Sequence, residues 1–473
     1  FATLEAERFQ GYMREGVGGL PEHAGIVARF DTFVQLNTGE PGVDFLKSCV
    51  AYVRDSLGHP ADEFLHEMAC GILACNYPVH DRMLKLSEAI CREYLLNDMC
   101  AAMPVTGGVD LCAVEGGTAA MTYIFHTLKA NRFVSRGDKV AIARPIFTPY
   151  LEIPELEDYG LEPVYLDATA EEGWQIPDSE LDKLRDPAVK AFFLVNPSNP
   201  PSVQMSARGR ATLKTIVDED RPDLIVLTDD VYGTFVDDFV SMFAVCPHNT
   251  ILVYSYSKYF GATGWRLGLI ALHEDNVLDR LVQKRPKKDL EELDERYASL
   301  TLEPRKIKMI DRLVADSRAV ALNHTAGLST PQQVQMTLFS LFALMDTADA
   351  YKAEMKRLVR RRLQTLYAAI GLKAEHDPYS AGYYAELPLG GIADQLYSDK
   401  FVTWLLDQVM PGELLYRIAD EAGVVLMPGG GFGDQAPSAR VSLANLNESD
   451  YAAIGRAIRA LLDRYYARFK AKG

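Results

Sequence analysis

No stretch of this chain is apolar for long enough to cross a membrane as a helix, and no secretion signal stands out. Basic residues are not in excess: 49 Lys and Arg face 65 Asp and Glu, for a net charge of −16. That balance argues against a nucleic acid or an acidic membrane as partner. The seven cysteines (Cys49, Cys70, Cys75, Cys91, Cys100, Cys112 and Cys246) are odd in number and lack paired CxxC spacing. No metal site is expected from them, and they read as free thiols in a reducing cytoplasm. Internal repeats and low-complexity linkers are also missing. The chain opens at Phe1 rather than methionine, in a charged, helix-like stretch, so a further N-terminal segment is expected ahead of it.

What is present is an ordinary globular composition, 48% apolar and 24% charged, over 473 residues. That length calls for about two or three domains. Short β-branched runs at 111–114, 139–143, 162–166, 191–195, 224–228, 251–254 and 266–271 alternate with helical stretches. Such alternation predicts an α/β fold, a mostly parallel seven-stranded sheet sandwiched by helices. Ligands of such sheets sit beyond the carboxyl ends of the strands. Residues 1–76 read as mainly helical, with helical spacing at 45–57 and 63–73. From about 330 onward, helices at 350–370 and 449–469 flank shorter strand-like pieces. The two chain ends are expected to form a smaller α/β domain together. A stretch of mixed charge at 280–318 reads as a solvated helical excursion or a subunit contact.

The chemistry collects just after the strand runs. The run 251–254 ends in Ser255-Tyr256-Ser257-Lys258, followed by Gly261, Gly264 and Arg266. An amine able to form a Schiff base, with hydroxyls before it and an arginine after it, suits a phosphate-bearing aldehyde cofactor. After 191–195 comes Asn196-Pro197-Ser198-Asn199-Pro200-Pro201, and after 224–228 come Asp229 and Tyr232. After 111–114 comes Glu115-Gly116-Gly117-Thr118, opening a helical stretch at 119–129. Free N–H groups at a helix start make a phosphate site. Pro145 to Tyr150 supply an aromatic face after 139–143. Each motif alone is ordinary turn chemistry. Four of them after strand runs, together with the lysine, are not.

With these residues the chain resembles the fold-type-I pyridoxal-phosphate enzymes, and among them the aspartate-aminotransferase-like family, over roughly 77–440. The resemblance implies pyridoxal 5′-phosphate bound through Lys258, which also moves the substrate's Cα proton. It implies Asp229 at the pyridine nitrogen, Asn199 and Tyr232 at the phenolic oxygen, and Phe147 stacked on the ring. Gly117, Thr118, Ser255, Ser257 and Arg266 would bind the phosphate. Tyr77 in Asn76-Tyr77-Pro78 would reach the phosphate of a neighbouring subunit, so a homodimer with shared sites is implied. Pro428-Gly429-Gly430-Gly431-Phe432-Gly433 lacks the strand-then-helix context of a dinucleotide loop. In the family this region leads to the arginine that grips the substrate α-carboxylate, a role that Arg440 fits. The implied division is 1–76 as the helical part of the small domain, 77–325 as the cofactor-binding domain and 326–473 as the rest of the small domain.

Three departures point to a narrower group. The asparagine motif ends in Pro200-Pro201 where ordinary members have Pro-Thr-Gly. The charged stretch lengthens the path from Lys258 to Ser329-Thr330. The N-terminal part carries Val17-Gly18-Gly19-Leu20-Pro21 and a long helical region before Tyr77. With the segment Cys75 to Leu84, these resemble the bifunctional aspartate aminotransferase/aspartate 4-decarboxylase group. That resemblance implies β-decarboxylation of L-aspartate to L-alanine and CO2 beside transamination between amino and 2-oxo acids, and dimers gathered into a larger assembly. The alternative within the family is a plain aspartate or aromatic aminotransferase. A nicotinamide-dependent oxidoreductase would share the α/β alternation but not the pairing of Lys258 with Asp229. A non-catalytic binding module would call for a nucleic-acid domain. For the β-carboxylate, Arg285 and Arg305 are the available cations, unless its partner lies in the expected N-terminal segment.

Overall fold

The computed structural model describes residues 43–74, 82–320, 327–409, 411–434 and 437–472. Tyr77, with the rest of 75–81, and the run at 17–21 lie outside the described residues. Seven strands build the main sheet: β1 (Val109–Val114), β2 (Lys139–Arg144), β3 (Glu162–Asp167), β4 (Val189–Val195), β5 (Ile225–Asp229), β6 (Thr250–Ser255) and β7 (Gly268–His273). Their order is β1-β7-β6-β5-β4-β2-β3. β7 runs antiparallel to both of its neighbours, and the other pairings are parallel. Helical crossovers are what parallel neighbours require, and the alternating pattern supplied them.

Both faces of the central strands are covered. In β6 every residue is buried, and Leu252, Val253 and Tyr254 are fully shielded. Each such apolar side chain contributes about 1.5–3 kcal/mol. The segment that carries Lys258 therefore leaves the sheet from one of its most firmly held strands.

The last strand of this sheet departs from the expected run 266–271. β7 begins at Gly268, and Arg266 sits in a left-handed conformation (φ 57°) after a short 3₁₀ turn at Thr263–Trp265. The cause is crowding at the sheet edge. A Cβ on Gly268 would lie 2.8 Å from Gly116 Cα, so only a bare backbone passes there. The turn before it swings the arginine back toward the start of the helix that follows Gly116.

Helices α1 (Val43–Asp55), α2 (Ala61–Ala74) and α3 (Lys85–Met99) precede the sheet, and α4 (Gly117–Ala130) follows β1. The mixed-charge stretch forms α5 (Lys287–Tyr297) and α6 (Met309–Ser317). Only part of it is a solvated excursion. Lys287 and Lys288 make exposed i,i+4 pairs with Glu291 and Glu292. Asp316, by contrast, is buried, and accepts hydrogen bonds from Thr127, Asn131, Arg296 and Tyr297. A buried carboxylate is tolerable only when so completely bonded, and this network fastens α6 to α4.

Helix α7 (Thr330–Met345) starts with a capping box of Ser329 and Gln332. Thr330 donates to the Gly71 carbonyl at 2.8 Å, which ties α7 to α2. Beyond α8 (Ala350–Ile370) a second, three-stranded sheet has the order β8-β10-β9, from β8 (Tyr384–Pro388), β9 (Met427–Pro428) and β10 (Ser438–Ser442). α9 (Glu448–Lys472) closes the chain against α8. Among the described residues no helix is long and apolar enough to cross a membrane.

Candidate active site

Three neighbouring strands, β4, β5 and β6, deliver the central residues from their carboxyl ends. Asp229, the last residue of β5, accepts hydrogen bonds from the Tyr150 hydroxyl at 2.9 Å and the Val231 amide at 3.2 Å. Burial pushes its carboxyl up to about 6, against the pull of Tyr150, the Val231 amide and the Lys258 charge. Lys258 stands just past β6, with Nζ 5.8 Å from the centre of the Tyr383 ring. Its charge bears on the Tyr384 hydroxyl. Among the described residues no carboxylate forms an ion pair with Lys258.

From Lys258 a string of polar contacts leads to Arg440. The Tyr232 hydroxyl donates to that of Tyr384 at 3.2 Å, and Asn199 Nδ2 donates to Tyr232 at 3.2 Å. Arg440 Nη1 donates to Asn199 Oδ1 at 3.1 Å, and its guanidinium stacks on Tyr384 and Phe432, 4.4 and 4.6 Å from the ring centres. Burial opposes ionisation of Tyr384. The Lys258 and Arg440 charges and the Tyr232 hydrogen bond outweigh it and bring the phenol below its usual value. The turn after β4 is stitched to β8, because the Tyr384 amide donates to Ser202 Oγ at 2.9 Å. The glycine-rich loop is stitched to the aromatic segment after β2. There the Ile146 amide donates to Phe432 O at 2.9 Å and Thr148 donates to Gly431 O at 2.6 Å. The two sheets thus meet at one cleft.

An anion cradle adjoins this cleft. Helix α4 begins at Gly117, whose Cα faces Asp229 and Tyr150. Ser255 donates to Ser257 at 3.0 Å. Arg266 gives its hydrogen bonds to the carbonyls of Thr263 (2.8 Å) and Glu115 (3.1 Å), and its Nη2 occupies the place that a Cβ on Gly116 would need. An exposed guanidinium with carbonyl partners, beside the N–H groups of a helix start and two buried hydroxyls, suits a phosphate by charge and by donors. Phe147 packs edge-on against Tyr150, 5.3 Å between centres.

The donor set fits pyridoxal phosphate: an amine, a buried carboxylate beneath it, phenol and amide groups at one side and an anion cradle at the other. The structure brings together Lys258, Asp229, Asn199, Tyr232 and Arg440, and sets Gly117, Thr118, Phe147, Ser255, Ser257 and Arg266 around them. Arg285 and Arg305 are not brought in. Arg285 lies over the Phe133 ring at 5.4 Å and Arg305 pairs with Asp294 at 2.7 Å. A cleft of about 630 Å³ lined by Arg82, Lys306, Asp311 and Arg318 shares no residue with the site. Sequence reasoning missed Tyr150 as the partner of Asp229 and missed Tyr383 and Tyr384 altogether. Their only signal was the Gly382-Tyr383-Tyr384 step before a short strand.

A sheet of this order with a lysine, an acid and an arginine so placed defines a cofactor-dependent enzyme of the aminotransferase class. The model of the family "Aminotransferase class I and II" matches residues 76–458, and the chain belongs to that family. Its cofactor is pyridoxal 5′-phosphate. The chain is 56% identical over 473 residues to a Pseudomonas bifunctional aspartate aminotransferase and L-aspartate beta-decarboxylase, covering all of this chain and 89% of that one. An aspartate aminotransferase of Pyrococcus horikoshii is 23% identical over 358 residues, 75% of this chain and 77% of its own. The Thermus thermophilus aspartate aminotransferase structure with maleate shares the fold, with a TM-score of 0.59 at 18% identity over 97% of this chain and 99% of its own.

Proposed function

We propose that this chain removes the β-carboxyl group of L-aspartate as CO2 to give L-alanine, with transamination of aspartate as a side activity. The observation that carries this reading is the full-length likeness, at 56% identity, to a protein named for both activities. The arrangement of the cleft supports it residue by residue.

When bound, pyridoxal phosphate supplies an electron sink for charge that develops at Cα and then at Cβ. Arg440 offers a planar fork to the α-carboxylate, and Asn199 and the rings of Tyr384 and Phe432 hold it in place. Lys258 binds the cofactor and takes the Cα proton. Tyr384 and Tyr232 orient its amine through their hydroxyls. Asp229, steadied by Tyr150 and the Val231 amide, holds a proton at the pyridine nitrogen. Gly117, Thr118, Ser255, Ser257 and Arg266 would hold the phosphate, and Phe147 would offer an aromatic face to the ring. In decarboxylation the bond from Cβ to the carboxyl carbon breaks, its electron pair stays toward Cβ, and a proton replaces CO2. If water enters instead, oxaloacetate leaves and the amino group stays behind. A tight grip on the β-carboxylate would stabilise the charged ground state and oppose its loss.

Aspartate supplied alone decides between the two outcomes. The expected result is alanine and CO2 in equal amounts over many turnovers. A plain aminotransferase stops after one equivalent of oxaloacetate per site, and that result would overturn the decarboxylase reading.

The domain division at 76 and 325 and a cytoplasmic location are part of the same reading. So is a working unit of at least a homodimer, with Tyr77 lent to the neighbour's phosphate and dimers gathered into a larger assembly. Ile72, Leu73 and Trp265 are large apolar side chains about half exposed or more. They flank one region, because Gly71 and the Trp265 carbonyl are both bonded to the start of α7. Sedimentation across a range of concentrations is expected to show no active monomer. A fully active monomer would refute the shared site, and an active dimer that never grows would refute the larger assembly.

A further inference from the structure

The second sheet places an acid directly behind the arginine of the site. In the antiparallel pairing of β8 with β10, Glu386 stands opposite Arg440. Residues opposite each other share a face of the sheet, with Cβ atoms roughly 4.5–5.5 Å apart. Tyr384, two residues earlier on that face, lies under the guanidinium. Glu386 is only 6% exposed, and neither carboxyl oxygen has a hydrogen-bond partner of ordinary geometry. The bare backbone of Gly429 closes over it, since a Cβ there would come 2.5 Å from Glu386 Oε1. Arg440 itself has neutral partners: Asn199, the Met427 sulfur at 2.8 Å and two rings, with Nε buried and unbonded.

We propose that Glu386 is a positioning residue that holds a proton behind Arg440, and that loss of this proton weakens the grip of Arg440 on the substrate carboxylate. The proposal rests on the reading of Arg440 as the α-carboxylate partner. A neutral Glu386 leaves the full positive charge of Arg440 to the ligand. An ionised Glu386 places an anion at the root of the same side chain, where it competes with the ligand for that charge.

Three titratable groups face Glu386 from the elements around it: Arg440 on β10, Asp434 on the loop before β10, and Tyr367 on α8. Asp434 already accepts a hydrogen bond from Ser438. Burial, reinforced by the Asp434 charge, pushes Glu386 up to about 7, although the Arg440 charge pulls the other way. The acid is neutral below that pH and charged above it, so carboxylate affinity falls as pH rises through neutrality.

The test is calorimetric titration of the cofactor-loaded enzyme with succinate, a dicarboxylate that has no amino group to react. Glu386→Gln keeps the neutral shape at every pH. Its affinity should equal that of the parent near pH 6 and exceed it roughly tenfold near pH 8, the worth of about one pKa unit of differential interaction. Titration of the cofactor's own Schiff base is common to both proteins and cancels in the ratio. Asp434→Asn removes the charge that favours the proton on Glu386, so the loss of affinity should move to lower pH. Parallel profiles for parent and Glu386→Gln would overturn the proposal. If that variant does not fold, Asp434→Asn decides alone: a shifted profile supports the proposal and a superimposable one overturns it. Arg440→Lys serves as the control. Unchanged succinate affinity in that variant would refute the reading of Arg440 itself, whatever Glu386 does.

Discussion

Lys258→Ala is expected to lower turnover of aspartate by on the order of 10⁵–10⁶, the scale for losing a covalent nucleophile that also serves as base. The amine's charge bears on Tyr384, faces the Tyr383 ring and is drawn toward Asp229, with no ion pair to satisfy it among the described residues. No other lysine lies at the meeting of the two sheets in the contacts described above. Borohydride reduction of the loaded parent enzyme, followed by peptide mapping, should place the label on Lys258. The alanine variant should still bind pyridoxal phosphate through the anion cradle but carry no label. A label on another lysine, or none in the parent, would remove the basis for every role assigned around it.

Asp229→Asn is expected to cost roughly a thousandfold in turnover, the cost of about 4 kcal/mol of electrostatic stabilisation at a developing charge. The substitution keeps the size of the side chain and can still accept from Tyr150 or the Val231 amide. What it loses is the anion proposed to keep the pyridine nitrogen protonated. Covalent loading on Lys258 should survive, which separates loss of the electron sink from loss of the cofactor. In the unloaded protein the Asp229 carboxyl is raised to about 6, chiefly by burial. The anion is therefore present above that pH and lost below it, and capture of the cofactor by the apoenzyme should weaken as pH falls through about 6. Near-parental turnover of the asparagine variant would contradict the role.

The large sheet was legible in the sequence because its strands are short β-branched runs separated by helices, a pattern that burial on both faces produces directly. The residues after those runs were legible for the same reason, since a strand end in such a sheet points at the ligand side. Tyr384 and Glu386 were not. They lie on a strand of the second sheet, and they reach the cleft only through pairing with β10 and the stitch to Ser202, contacts between segments far apart in sequence. Arg266 was placed inside a strand, because a period-two pattern is blind to a left-handed residue. The charged stretch read as a solvated excursion or a subunit contact because composition cannot reveal that Asp316 is ringed by four donor residues. Tyr77 lies outside the described residues, and its role rests on the resemblance.

The crossing of Gly268 over Gly116 has a thermodynamic consequence. It splices β7 to the start of α4, and so joins two lengths of chain more than a hundred residues apart at the place proposed for the cofactor's phosphate. A ligand that binds only the assembled receptacle adds its binding free energy to the cohesion of that sheet edge. Cofactor saturation and the integrity of the β1–β7 pair are then two readings of a single equilibrium. A side chain introduced at Gly268 would lower both together.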